Sequence, residues 1–349
     1  MGSAALRGRI DRICAQNSDA RALQLRIVEE MRRSVAFDAF AFLLTDPVTS
    51  VGTSPLADVP CLPDLPRLIR LKYLTVVNRW TTLTDRFVSL SAAVDGELSL
   101  SLVWRELLRQ YEVVDVASAV FRNRFGCWAF LDLWRTTPST RFTDAELAPL
   151  GSVISRVTDG LRRAQAATFA APQEINRALQ GPVVLLLSPT LDVLAETAAA
   201  IDYLRALLPS TPDEPPIPAS AYNVAAQLLA REKGVDTSPA VARVHVGGGR
   251  WLALRAARLD RPDALVEPNI AVIIEDASGA DRTTLFARAH ALSVRETELL
   301  THLDAGRDTH AIAEQMHLSE HTVQDHLKAI FAKTGIRTRR SLLSHVRGR

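Results

Sequence analysis

The chain has 349 residues, 47% of them hydrophobic and 23% charged, with a formal net charge of +2. At roughly 100 to 200 residues per domain this predicts two or three domains with apolar cores, and it excludes both a disordered chain and a polycation that coats nucleic acid over its whole surface. There is no ~20-residue apolar run for a bilayer and no charged-then-apolar start of a secretory signal, so no membrane partner and a cytoplasmic location are expected.

Apolar spacing near 3.6 predicts two helices over 4–35, with a break at 17–19. The run 36–45 is dense in Phe, Ala and Leu and ends at Asp46-Pro47, as a buried strand ending in a turn would. Residues 52–66 hold five prolines or glycines and read as loop. Helices are expected at 68–77 and 98–111, and two strands at 113–121 and 127–135, joined at 122–126. Trp128, Phe130 and Trp134 would form the core of that sheet. Thr143 followed by Glu146 is a capping box, and Leu147, Leu150, Ile154, Val157 and Leu161 give one long helix a single apolar stripe.

A second unit opens after Pro172. Strands are expected at 183–187 and 191–194, helix at 196–207, loop at 209–218, helix at 219–233, and strands at 241–246, 250–258 and 270–275. Gly247, Gly248 and Gly249 join two of these strands in a hairpin, so their glycines are turn residues and not a phosphate cradle. The pattern is an antiparallel sheet with helices on one face. Cys14, Cys61 and Cys127 lie far apart, with neither a disulfide framework nor a paired zinc spacing.

Charge and histidine are uneven. All of Lys328, Lys333, Arg337, Arg339, Arg340, Arg347 and Arg349 follow the last acid, Asp325, and seven of the eight histidines lie at or beyond His290. In the same stretch Ser293 and Glu296 form a capping box, and Leu299, Leu300 and Leu303 form one apolar face. Gly306 ends that helix, Asp308 caps a second with Ile312, Ala313 and Met316, and Ser319 caps a third. Val323, Leu327 and Ile330 face inward on the third helix, which leaves His321, Gln324, Asp325 and Lys328 outward. Two helices joined by a tight turn, the second presenting polar side chains, fit a major groove. Lys can donate to guanine, Gln can pair with adenine, and Asp can accept from cytosine.

Residues 292–346 resemble the LuxR-type (NarL-type) helix-turn-helix of bacterial transcription regulators. The resemblance rests on Leu292-Ser293-Val294-Arg295-Glu296, Gly306, Ile312-Ala313-Glu314, Leu318 to Val323, His326-Leu327, Ile330, Lys333, Gly335-Ile336 and Arg339. By that match Gln324, Asp325 and Lys328 face bases, while Thr322, Lys333 and Arg339 lie near phosphates or support the domain. With Ser319 and Arg337 these make up the expected DNA-binding set. The resemblance also implies an internal ion pair between Glu296 and Arg339, and a homodimer meeting through the last helix with Leu342 and Leu343 exposed. Ala311, Ser341 and Asp325 depart from the family's pattern.

By element order, residues 20–170 look like a GAF domain and residues 174–280 like a PAS domain, both small-molecule sensor folds. The expected fold is therefore α+β multidomain: a GAF-like unit over 1–171, a PAS-like unit over 172–283 and an all-α LuxR-type domain over 284–349. The expected function is a regulator that binds double-stranded DNA and answers to a small-molecule effector or a protein partner, with RNA polymerase as a further contact. Two alternatives stay open: a sigma-factor-like polymerase subunit, and control by protein–protein interaction alone. With His245 the sole histidine in front and no phosphate-binding loop, no cofactor is expected. No catalytic set and no metal ligands are expected either.

Overall fold

The computed structural model describes residues 3–16, 19–84, 86–170, 181, 183–208, 216–259 and 268–348. The expected break at 17–19, the loop at 209–218 and the boundary at 171/172 fall wholly or partly outside them.

The first unit runs α1 (Ser3–Ala15), α2 (Ala20–Arg32), β1 (Ala39–Thr45), β2 (Gly52–Asp58), α3 (Leu65–Leu74), β3 (Val88–Ser89), α4 (Leu90–Ala93), α5 (Leu102–Glu106), β4 (Val113–Asn123), β5 (Gly126–Thr136), α6 (Asp144–Gly151) and α7 (Ile154–Ala167). Its five strands are antiparallel in the order β2-β1-β5-β4-β3. β1 and β5 are buried along almost their whole length, because helices cover both faces, and Trp128, Phe130 and Trp134 are about 1% exposed.

Three local expectations need correction. Residues 52–58 are a strand and not a loop: β2 lies at the sheet edge, where Pro55 costs no ladder bond. The helix expected at 98–111 is broken into α5 flanked by short 3-10 turns, with Ser101 capping α5 and Glu112 in the left-handed region at φ 54°. The capping box at Thr143 is present, but the helix stops at Gly151. Pro149 lacks an amide donor, Ser152 takes the Pro149 carbonyl at 2.7 Å, and the chain restarts at Ile154.

The second unit runs β6 (Val183–Leu187), β7 (Val193–Glu196), α8 (Ala200–Leu207), α9 (Ala219–Glu232), β8 (Val241–His245), β9 (Trp251–Arg258) and β10 (Ile270–Asp276). Its sheet order, β7-β6-β10-β9-β8, repeats that of the first unit when each is numbered from its own first strand. The glycines of the β8–β9 hairpin all take positive φ, which only glycine adopts without strain.

The two units do not have separate cores. α9 is rich in alanine, and small side chains let it lie close between the second sheet and α3, so that Ala41, Val120 and Phe130 share one apolar cluster with Val224, Leu229 and Leu254. Ion pairs cross the same junction, Arg79 to Asp236 at 2.6 Å and Arg243 to Asp46 at 2.8 Å, all four side chains largely buried. Burial pushes the Asp46 carboxyl up, against the pull of Arg243 and two backbone amides.

The remaining helices are α10 (Gly279–Ala289), α11 (Val294–Asp304), α12 (Thr309–Met316), α13 (Glu320–Thr334) and α14 (Arg339–Arg347). The expected boundary at 283/284 falls inside α10. Gly279 is the first residue of that helix, behind a capping box of Ser278 and Asp281. α10 touches both front units and the C-terminal helices. Phe286 meets Phe169 edge-on at 5.3 Å, and Phe169 stacks on Trp251 of β9. Arg282 is 5% exposed and donates to the carbonyls of Val346 at 2.9 Å, Gly249 at 2.8 Å and His345 at 3.4 Å, so it satisfies the last turn of α14 while holding the second unit's hairpin.

This packing overturns two details of the expected dimer contact. Leu342 is fully buried, and Leu343 is half-buried, because that face of α14 packs on α10. The apolar stripe of α7 is likewise used within the chain, against α1, α2 and α10.

His290 closes α10, with its ring 4.2 Å from that of Phe286. Burial lowers its pKa to about 4, helped by Arg162 and His345. Its unfolded value is higher, so the unfolded state takes up a proton first, and stability is lost as pH falls from about 6.5 toward 4. Discounted for partial exposure, the loss should be on the order of 2 kcal/mol. Thermal melts at pH 7 and 5 check it: His290→Asn should narrow the difference between them, and an unchanged difference would show that this ring does not titrate as its burial requires.

Candidate nucleic-acid interface

Each C-terminal helix starts where the sequence places a cap. Ser293, Asp308, Ser319 and Thr338 all accept from a backbone amide two or three positions into the helix they precede, and Ser293 with Glu296 forms the full box. The turn between α12 and α13 is tight, since His317 caps α12 in the left-handed conformation at φ 54° and Ser319 already caps α13. Val323 and Ile330 are buried against Leu299, Leu300, Ile312 and Met316, and Leu327 packs half-buried beside them. This leaves one side of α13 in solvent.

Gln324, Asp325 and Lys328 are exposed on that side. Lys328 Nζ donates to Asp325 Oδ1 at 3.0 Å and His321 Nε2 lies 3.5 Å from Asp325 Oδ2, so the acid sits between two basic groups and the hydrogen bond from Lys328 holds its carboxyl below the usual range. Gln324 Nε2 reaches Thr309 Oγ1 at 3.4 Å, which ties the exposed side of α13 to the start of α12. Ser319 is exposed and its hydroxyl lies 2.9 Å from that of Thr322, which is half-buried. Arg337 and Arg340 are both exposed.

Lys333 and Arg339 are held differently. The expected ion pair between Glu296 and Arg339 is not formed. Lys333 Nζ bonds to Glu296 Oε2 at 2.6 Å, while Arg339 donates to the Arg307 carbonyl. Burial raises the Glu296 carboxyl, and Lys333 with the Ser293 amide outweighs it, leaving its pKa below the ordinary value. The Glu296 side chain is 7% exposed and that of Lys333 is 38% exposed, so α13 is pinned to the cap of α11 by a half-buried pair. Lys333→Ala should therefore cost about 1 to 2 kcal/mol by stranding the carboxylate. Denaturant midpoints check this, with Glu296→Gln/Lys333→Ala expected to recover part of the loss. A single variant as stable as the parent would make the pair ornamental.

Reading the sequence did not single out Thr309 or Arg282. A threonine one residue past a cap and an arginine inside a helix have no distinctive local signal; only their neighbours in space make them notable.

Residues 290–346 match the family model of bacterial regulatory proteins of the luxR family. The Probable HTH-type transcriptional regulator GfsR of Streptomyces halstedii is 36% identical over 84 residues, a stretch that is 24% of this chain and 35% of that protein. The match thus spans about a third of that relative's length. The C-terminal helices form a LuxR-type helix-turn-helix domain. Among the described residues, no helix is long and apolar enough to cross a membrane, and no group of three or more His, Cys, Asp or Glu could hold a metal ion.

Proposed function

We propose that the chain is a DNA-binding transcription regulator. It reads an operator with α13 and is controlled by a small molecule that the two front units sense, as GAF-like and PAS-like domains. The observation that carries the reading is the exposed face of α13, where Gln324, Asp325 and Lys328 project near a capped helix start, with the exposed Arg337 and Arg340 following that helix in the chain, within the matched 57-residue stretch. Such a face offers donors and acceptors to base edges and cations to phosphates. One helix-turn-helix reads a half-site, so the working form is a homodimer on an imperfect palindrome. The sensing part draws support from the repeated sheet order and from cavities of about 210 and 300 Å3 among the front elements. Selection of genomic DNA fragments with the full chain should enrich one palindromic motif. Enrichment of no motif would end the reading.

A further inference from the structure

The larger of those two cavities, about 300 Å3, lies between the two front units. Its walls come from the start of α2, the ends of β1 and β2, α7, α8 and the β8–β9 strands, so neither unit forms it alone. At about 30 Å3 per water the space equals roughly ten waters, which suits a small molecule and not a nucleotide cofactor. Leu44, Trp128, Leu161 and Val246 give it an apolar lining.

Three of its lining residues carry a buried polar atom that finds no partner in the protein: Trp251 Nε1, Gln165 Nε2 and His245 Nε2. Two of these are N–H groups that can only donate, and leaving such groups buried and unpaired is costly. The lining includes the cation Arg21, a second cation, Arg243, that is already paired with Asp46 and Asp281, and one carboxylate, Asp19, which is occupied in capping α2. The unmet demand is for acceptor oxygens, with the positive charge of Arg21 favouring an anion, on a body that fills an apolar, aromatic-walled space.

We propose that this cavity binds a small aromatic carboxylic acid, its carboxylate accepting from Trp251 and Gln165 and its ring lying against the apolar wall. The three unpaired atoms are closed off in the present conformation, so entry turns the Gln165 side chain or shifts Trp251. The movement of Trp251 reaches α10. Trp251 stacks on Phe169 at 5.3 Å, Phe169 meets Phe286 of α10, and Arg282 of α10 lies 5.6 Å over the same Phe169 ring. A second route starts at Arg243 on the cavity wall, whose Nε donates to Asp281 in the cap of α10 at 2.5 Å. The acid would thus change how α10 holds α14, which is the part of the inference that rests on small-molecule control of DNA binding.

The test is ligand-observed saturation-transfer NMR on the full chain with benzoate and indole-3-acetate, against benzylamine and benzyl alcohol. The acids should bind and the amine should bind at least about tenfold more weakly. Trp251→Phe keeps a ring on Phe169 and removes the N–H, so it should weaken the acids by about tenfold, and Gln165→Leu should do the same, with melting curves confirming that both variants fold. The site is refuted if neither acid binds, if benzylamine binds as well as benzoate, or if both variants bind the acids like the parent. DNA affinity measured with and without benzoate separates the two claims. An acid that binds in the cavity and leaves DNA affinity unmoved keeps the site and removes the regulatory reading.

Discussion

Phe286→Ala should lower the stability of the full chain by about 3 to 5 kcal/mol, in the range for large-to-small changes at fully buried aromatic positions. Phe286 is fully buried and its ring faces Phe169 and His290, so the truncation opens space where α7, α10 and the C-terminal helices meet. The surrounding groups cannot collapse into it easily, because Arg282 is fixed by three carbonyls on two separate elements. Chemical unfolding monitored by tryptophan fluorescence gives the loss, since all five tryptophans lie at or before Trp251. Limited proteolysis should also cut the variant faster near 268–292. A cost below about 1 kcal/mol would show that α10 does not join the front units to the DNA-binding helices as the packing requires.

Operator affinity should fall about a hundredfold between 50 and 200 mM salt if Arg337 and Arg340 of both subunits each neutralise one phosphate, since each phosphate contributes roughly a factor of three to four over that range. Lys328→Ala should remove about 1 to 3 kcal/mol from specific binding and relax preference at one base pair, while hardly changing the salt slope. Asp325→Ala should act in the other direction on non-specific DNA, because it frees Lys328 from the 3.0 Å contact and removes the acid from the groove face. Fluorescence anisotropy with operator and scrambled duplexes measures all three effects. A Lys328→Ala protein that loses affinity equally for both duplexes would place that side chain on a phosphate and not on a base.

The helix-turn-helix was legible from the chain alone because its signals are local. Ser293, Asp308 and Ser319 cap helices by bonding amides two or three residues away, and Val323, Leu327 and Ile330 repeat at the helical period, so neighbours in sequence suffice to place them. The strands at 113–123 and 126–136 were legible for the same reason, as two apolar runs joined by a short turn. Residues 52–58 were not, since whether a stretch with Pro55 is an edge strand or a loop depends on a neighbour, β1, that supplies its ladder.

Ionic partners were the least legible part of the site. The resemblance pairs Glu296 with Arg339, whereas Glu296 takes Lys333 of α13 and Arg339 of α14 takes the Arg307 carbonyl, a choice made by how these helices pack together. The exposure of Leu342 was misjudged in the same way. An amphipathic helix shows which face is apolar, but the partner that covers that face, here α10, lies some 60 residues earlier in the chain. The sequence by itself determined the C-terminal helices, their caps, the solvent-exposed polar residues of α13 and the presence of a basic C-terminal strip, because each follows from the chain's own order or from contacts within one or two helical turns. Only the tertiary structure decided that the front units share a core, that α10 joins them to the last helix and that a cavity with unpaired donors lies between them, because burial and pairing across hundreds of residues leave no periodic trace in the chain.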